Sequence, residues 1–236
     1  MIIWAGTSSK DVGMVIEHYP SIIIPSRSQE VENIPGRNGD LLIDYGSFNN
    51  YEQPYQAFLD VKEIGGLNAV MPRLVDWLMG HEGYQRLEDT YFPDIYRMAY
   101  YSGGSEFLNI FGEYGEGTLT FVCAPEKYFK MGEREIVLSQ NHYLKNPSAF
   151  GAMPLIQITG DGTNGNLIFN GNSFGIKTVP SLITIDTKTH RAYNGTTNYS
   201  NLITGKYEDL KMEKETTITW SGGITGVTIT PRWWTI

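Results

Sequence analysis

Residues 33–46, NIPGRNGDLLIDYG, place a glycine-rich turn that carries an arginine in front of a short apolar run. Such a turn either cradles a phosphate or reverses two strands. The Asn38-Gly39 pair predicts a two-residue hairpin turn, because both residues tolerate positive φ, and LLIDY alternates like a strand that leaves the turn. Arg37 is then expected beside the hairpin tip, where it meets solvent, a neighbouring subunit or a ligand.

The overall composition favours strands joined by tight turns. Aromatic residues make up 13% of the 236 residues, and 26 residues are glycine. The first half mixes strand patterns with one convincing helix, whereas residues from about 133 onward show strands and turns only. We therefore predict a mainly β protein with two domains, 1–132 and 133–236: an N-terminal β-domain with one α-helix and a projecting hairpin, followed by a β-sandwich.

The helix is predicted from NAVMPRLVDWLMG, residues 68–80. Asn68 is expected to cap it, with Pro72 in its first turn. Four apolar residues repeat at helical spacing and predict one apolar face of the helix: Met71, Leu74, Val75 and Leu78. Such a stripe is typical of a core, although in an assembly it also buries against a neighbour.

The second half is predicted to form a sandwich of short strands. Two apolar runs flank the cluster DGTNGN from Asp161, which favours a hairpin with its turn at that cluster. Alternation further along the chain pairs apolar residues on shared strand faces: Ile183 with Ile185, Ile218 with Trp220, and Val227 with Ile229.

Charge and apolar patterning bear on the partners of the protein. The formal net charge is −8, so the chain as a whole has no electrostatic attraction for nucleic acid or anionic lipid. The first residues, MIIWAGTSSKD, lack the features of a secretory signal, and no uncharged apolar run approaches membrane-spanning length. We expect a protein made in the cytosol and not inserted into a membrane.

The sequence contains no recognisable catalytic, phosphate-binding or metal-binding motif. GNSFGIKT departs from a phosphate loop in the position of Lys177, and the four histidines are too dispersed for a zinc helix. A pair of carboxylates that hydrolyses sugars is not excluded by the sequence, and the residues to test are Glu113, Glu116, Glu126 and Asp186. The simpler interpretation is that these residues are solvated surface charges. We predict no catalytic residues, no cofactor and no metal site.

Two further features concern packing and recognition. Cys123 is the only cysteine, and its context LTFVCAP predicts a small buried hydrophobe. The C-terminal stretch TPRWWTI places Trp233 and Trp234 on opposite faces of a strand, so only one of them readily enters a given core. The other covers a domain edge or contacts a sugar ring or a protein partner, which makes both residues candidates for carbohydrate or partner contact.

An ordered series of stretches resembles the distal tail proteins (Dit) of long-tailed, non-contractile bacteriophages, and together these stretches span nearly the whole chain. In chain order they are PGRNGDLLIDYGSFNNY, the helix around Trp77, YQRLEDTYFPDIYRMAYY, GEGTLTFVCAPEKY, NPSAFGAMPLIQITGDGTNGNLIFNG and TTITWSGGITGVTITPRWWTI. The resemblance implies a ring-forming N-terminal domain and a galectin-like C-terminal β-sandwich.

In that family the subunits form a hexameric ring that joins the tail tube to tail-associated tip or baseplate proteins, and DNA passes through the ring. The resemblance therefore implies a structural hub at the virion tail tip, assembled in the bacterial host cytoplasm. The sequence does not decide whether two such rings stack back to back in solution. Arg37, Asn38 and Asp44 are the candidates for the contact between subunits. Two alternatives remain: a carbohydrate-binding adhesion module for the host cell surface, and a cell-wall glycan hydrolase.

Overall fold

The computed structural model describes residues 1–61, 65–110 and 114–236, and for residues 109 and 110 it describes the backbone. Two compact units are present, Met1–Lys127 with Ile236 and Tyr128–Thr235. The mainly β class is confirmed, whereas the domain boundary after residue 132 stays a prediction. Glu113 lies outside the described residues. In the part of the chain that is described, no helix is both long and apolar enough to cross a membrane.

The elements of the first unit follow in chain order: β1 (Ile2–Trp4), β2 (Thr7–Ser8), a 3₁₀ turn (Ser9–Val12), β3 (Met14–Ile16), β4 (Arg27–Glu32), β5 (Leu41–Phe48), β6 (Tyr51–Asp60), helix α1 (Leu67–Met79), β7 (Gln85–Asp89), β8 (Ile95–Tyr100), β9 (Phe107–Ile110) and β10 (Tyr114–Phe129). The main sheet has the order β2-β1-β7-β8-β10-β6-β3, and β9 also pairs with β10.

The core of the first unit lies between this sheet and α1. Every second residue of β6 is buried, as expected for a strand with one face on a core. The helix buries Leu67, Val70, Leu74, Trp77 and Leu78. The prediction of the apolar face is therefore only partly correct. Leu74 and Leu78 are buried, but Met71 and Val75 are exposed, because the buried face is centred on Leu74 and Trp77.

The start of the helix also differs from the prediction. The N-cap residue is Gly66, and no side chain caps the first turn. Asn68 lies inside that turn, so its predicted capping role is wrong. Since the helix begins at Leu67, Pro72 is its sixth residue and lies in the second turn, not in the first.

The hairpin forms a separate two-stranded sheet, in which β4 pairs with β5 in antiparallel register. The strand predicted from LLIDY is confirmed as β5, but the turn is not at Asn38-Gly39. Arg37 N–H donates to the Ile34 carbonyl at 3.1 Å, and Gly36 has φ +84°, which makes residues 34–37 a type II turn with proline and glycine at its centre. Proline fixes the first central φ in advance, and this chemistry competes successfully with Asn38-Gly39.

The elements of the second unit are a 3₁₀ turn (Lys130–Glu133), β11 (Ile136–Val137), β12 (His142–Lys145), β13 (Leu155–Phe169), β14 (Asn172–Ile176), β15 (Ile183–Asp186), β16 (Arg191–Asn194), β17 (Thr197–Asn198), two 3₁₀ turns (Ser200–Leu202 and Tyr207–Leu210), β18 (Glu215–Thr230) and β19 (Trp234–Thr235). Its sheet has the order β11-β18-β13-β15-β16-β17, with β12 on β18 and β14 on β13.

Two long curled strands, β13 and β18, organise the second unit. They pair with each other along their length, with register shifts around Gly160 and Gly165. The predicted hairpin turn at DGTNGN is therefore wrong, because both apolar runs pair with the same partner strand across this irregularity. The two halves of each strand contribute to one apolar core, whose members include Ile156 and Phe169. The galectin-like label stays a prediction.

Candidate assembly interface

The β4–β5 hairpin exposes apolar side chains on both of its faces. Val31 and Leu42 lie directly opposite each other on one face and are 61% and 55% exposed. Ile43, on the other face, is 38% exposed, and Tyr45 is 59% exposed. A two-stranded ribbon without a covering layer is at best marginally stable in water. The hairpin thus has the composition of a surface that is buried by something outside its own chain fold.

Asp44 lies at an irregularity in the ladder, where the three residues 27–29 of β4 face the five residues 44–48 of β5. Its carboxylate accepts hydrogen bonds from Gly46 N–H at 2.8 Å, from Gln29 Nε2 at 3.3 Å and from Arg27 Nη1 at 3.2 Å. The Gly46 N–H, followed by the Gln29 amide, lowers the pKa of Asp44. The candidate Asp44 therefore stabilises the shape of the hairpin from within.

The tip of the hairpin carries the other two interface candidates. Arg37 and Asn38 are both exposed and follow the type II turn. Below them, Asn33 Nδ2 donates to Asp40 Oδ1 at 3.1 Å and closes the base of the loop. The loop thus presents Arg37 at its outer end, but the two candidate side chains and Asp44 are not gathered into one cluster by any contact in the described residues.

A segment that we call the strap, residues 17–26, leads into the hairpin. It exposes Tyr19, Ile22 and Ile24, each more than three-quarters accessible to solvent. At the root of the hairpin, Asn49 N–H donates to the Ser26 carbonyl at 2.9 Å. The strap and the hairpin therefore form consecutive parts of the first unit that leave large apolar side chains in water.

A buried polar network lies beneath the sheet of the first unit. Arg97 Nη1 pairs with Asp89 Oδ2 at 2.8 Å, with the two side chains 3% and 0% exposed. Tyr55 donates its hydroxyl proton to the same carboxylate oxygen at 3.1 Å, and Arg97 Nε donates to the Tyr51 hydroxyl at 3.2 Å. Burial raises the pKa of both tyrosines. The network is closed to solvent, which suits a structural role.

The other oxygen of Asp89 organises the adjoining turn. Oδ1 accepts from the backbone N–H groups of Tyr91 and Phe92, at 3.0 and 2.7 Å. Nearby, Cys123 is fully buried, as the sequence predicted, and burial raises the pKa of its thiol to about 12. A thiol in this environment stays protonated at neutral pH and is a poor nucleophile.

The two C-terminal tryptophans have different environments within the second unit. Trp233 is 5% exposed and belongs to the apolar core. Trp234 stacks on Phe150 with ring centroids 4.8 Å apart, and its Nε1 donates to the Gly151 carbonyl at 3.1 Å. A sugar or a partner has access to Trp234 but not to Trp233, and the contact role of either residue stays a prediction.

The apolar hairpin residues were missed by sequence reasoning, which concentrated on the polar tip. The signal was available: Leu41, Leu42 and Ile43 are consecutive apolar residues, and a strand places consecutive residues on opposite faces. A three-residue apolar run therefore indicates a strand with apolar groups on both sides. In a main sheet, a strand of this kind would be covered on both faces. In an isolated hairpin, its apolar side chains are exposed to solvent.

The fold described above belongs to the class of mainly β proteins with a separate hairpin and two compact units. No family model matches the sequence. No curated protein sequence matches it either. Among solved structures, the Dit protein of phage SPP1 matches 100% of this chain and 98% of its own, with a TM-score of 0.78 and 13% sequence identity. That protein is described as a paradigm of the hub adsorption apparatus in phages that infect Gram-positive bacteria.

Two structures of the phage P2 baseplate in its activated conformation, with Ca and with Sr, match with a TM-score of 0.46 and 12% identity, over 92% of this chain and 90% of theirs. At 13% identity, the likeness to SPP1 Dit shows a shared fold. The resemblance to distal tail proteins is thus confirmed at the level of the fold.

Proposed function

We propose that this chain is a structural hub subunit of a phage tail tip. The observation that carries the proposal is the β4–β5 hairpin, which exposes Val31 and Leu42 on one face and Ile43 on the other. The full-length likeness of the fold to the hub protein of SPP1 supports it independently. A hub needs surfaces that are complete only after assembly, and the exposed apolar side chains of the hairpin support such a role.

The occupant that we assign to the hairpin surface is a second copy of this chain. In this proposal the hairpin packs against a different surface of the second copy, which makes the contact heterologous, and such a contact closes into a ring when the rotation per subunit is right. The resemblance to distal tail proteins sets the expected ring at six subunits. In this arrangement Arg37 and Asn38 at the tip reach the neighbouring subunit, while Asp44 holds the hairpin in the shape that docks.

The remaining partners follow from the hub role. The ring joins a tail tube protein on one side to a tip or baseplate protein on the other, at the tail tip of a virion assembled in the host cytoplasm. DNA passes through the ring without specific binding. Such passage requires a lumen that is not basic, because a basic lumen would retain phosphates. The proposed role requires no enzymatic activity.

The solution mass tests this proposal, measured by size-exclusion chromatography with light scattering over a range of protein and salt concentrations. We expect a hexamer, or twice that mass if two rings stack. Val31→Lys and Leu42→Lys place charge in the contact and should shift the mass toward the monomer. Val137→Lys is the matched control, because Val137 is 77% exposed and lies in the second unit.

Each outcome has a separate meaning. A monomer at every concentration of the unmodified chain would overturn the ring. A hexamer that survives both hairpin substitutions would place the contact elsewhere. Arg37→Glu tests the tip: retention of the full mass would remove Arg37 from the interface, while the apolar hairpin faces would still be tested by the lysine variants.

A further inference from the structure

A groove of about 570 Å³ lies in the second unit. It is lined by the ends of β15 and β16, by the turn that follows and by β17. Along β16, Ala192 is buried in the core, so the side chains of Arg191 and Tyr193 lie on the opposite face of the strand, and all three residues line the groove. The volume is within the range of small-molecule sites.

The antiparallel register places the lining side chains in two rows. Within the lining, Tyr193 lies opposite Asn198, and Asp186 lies opposite Arg191. An aromatic ring thus has an amide beside it on the neighbouring strand. Thr189 and Thr196 add hydroxyl groups at the rim. This set can pack against the flat face of a sugar ring and hydrogen bond to its hydroxyl groups.

The charges of the groove favour an anion. Asp186 Oδ1 pairs with Arg232 Nη1 at 2.7 Å. Burial raises the pKa of Asp186, but the hydrogen bond and charge of Arg232 outweigh this effect and the pKa is lowered, so the carboxylate is ionised and compensated. Arg191 is exposed and, among the described residues, has no ion-pair partner. The groove therefore has a locally cationic end in a chain of net charge −8.

We propose that this groove binds a saccharide residue that carries an acidic substituent. The ring of Tyr193 lies under the sugar, the Arg191 guanidinium pairs with the anionic group, and Asn198 hydrogen bonds to a ring hydroxyl. Guanidinium pairs with carboxylate or phosphate through two parallel hydrogen bonds, which gives the acidic group a defined position. This site goes beyond the hub role and is independent of ring formation.

Saturation-transfer difference NMR on the intact chain tests the proposal, with D-glucuronate as the probe and D-glucose and acetate as comparisons. The method observes the small molecule, so it applies to a monomer or a ring. We expect transfer to the glucuronate ring protons, with weaker transfer to glucose. Arg191→Gln should weaken glucuronate binding about tenfold through loss of the charged hydrogen bonds. The matched control is Arg134→Gln, an exposed arginine of the same unit outside the groove.

The tyrosine is tested with a conservative pair. Tyr193→Ala should abolish transfer to the sugar, and Tyr193→Phe should retain it, because the flat face is kept. Circular dichroism shows whether each variant is folded. Absence of transfer in the unmodified chain, equal transfer to glucose, or acetate competing with glucuronate at the same concentration would each overturn the proposal. Loss of signal in Arg134→Gln would also overturn it, because the effect would then be a general one of charge.

Discussion

Lys127 Nζ donates a hydrogen bond to the Ile23 carbonyl at 2.9 Å and so joins two parts of the first unit that are 104 residues apart in sequence. The ammonium group also lies 5.1 Å from the ring centroid of Tyr51. Gln53 Nε2 donates to the Ser21 carbonyl at 3.2 Å. Two side chains of the main sheet therefore hold the backbone of the strap, and the strap determines where the hairpin begins.

Replacement of Lys127 by Met tests this anchor. Methionine keeps the apolar stem but cannot donate to Ile23, so the strap should open more often and the unfolding free energy should fall by roughly 1–2 kcal/mol. Limited proteolysis should cut within residues 17–26 faster than in the unmodified chain. Lys145→Met, at an exposed position in β12, is the control. Equal rates of cleavage in both variants would show that Lys127 does not fix the strap.

The buried pair of Asp89 and Arg97 should make single substitutions costly. Arg97→Met leaves the Asp89 carboxylate buried without its cation, and we expect a loss of roughly 3–5 kcal/mol in urea unfolding. Asp89→Asn combined with Arg97→Met removes both charges while the asparagine oxygen can still accept from Tyr91 or Phe92. The double variant should therefore be more stable than Arg97→Met alone. A double variant whose loss equals the sum of the single losses would contradict coupling between the two residues.

Acid should loosen the hairpin through Asp44. Its pKa is lowered in the folded chain, first by Gly46 N–H and then by the Gln29 amide. The stabilising contribution is therefore present above the ordinary value of 3.8 and is lost as the pH falls through the lower folded value. With glycine-selective ¹⁵N labelling, the Gly46 amide resonance should titrate with a midpoint below 3.8 and should not titrate in Asp44→Asn. A midpoint at or above 3.8 would contradict the hydrogen bonds at the irregularity.

Cys123 should be almost unreactive in the folded chain. With a pKa of about 12, only on the order of one thiol in ten thousand is ionised at pH 8. A soluble thiol reagent at pH 8 should label the native protein slowly and the urea-unfolded protein completely, with one label per chain because the sequence has one cysteine. Fast native labelling would show that the first unit opens frequently around β10.

Two of the four Asn-Gly pairs, Asn38-Gly39 and Asn170-Gly171, show how far turn chemistry could be predicted. At Asn170-Gly171 both residues have positive φ, 48° and 87°, and the pair joins β13 to β14 as a two-residue hairpin. At Asn38-Gly39 only the glycine has positive φ. The difference is the neighbouring Pro35-Gly36, which forms its own turn first. In residues 34–39, the Pro-Gly turn therefore replaces the turn expected at Asn38-Gly39.

The alternation of apolar residues predicted which strand faces are buried, whereas the long-range polar contacts were not predicted from the sequence. Only one of the two C-terminal tryptophans enters the core, as the opposite-face argument predicted, and it is Trp233. The ion pair of Asp89 and Arg97 was not predicted, because it joins side chains of two neighbouring strands, β7 and β8. Nothing in the local sequence pattern separates a buried arginine from a solvated one. The groove at Tyr193 was missed for the same reason: its rows exist only after three strands are in register.

The strand pair β13–β18 has a consequence for how the second unit folds. Both halves of its sheet are built on the same two strands, which are separated by more than 40 residues of sequence. Neither half can form until that long loop has closed, and neither half can be lost without disturbing the other. The second unit should accordingly reach its native state slowly and in one concerted step, with backbone amides in both halves exchanging with solvent at a common rate set by global opening.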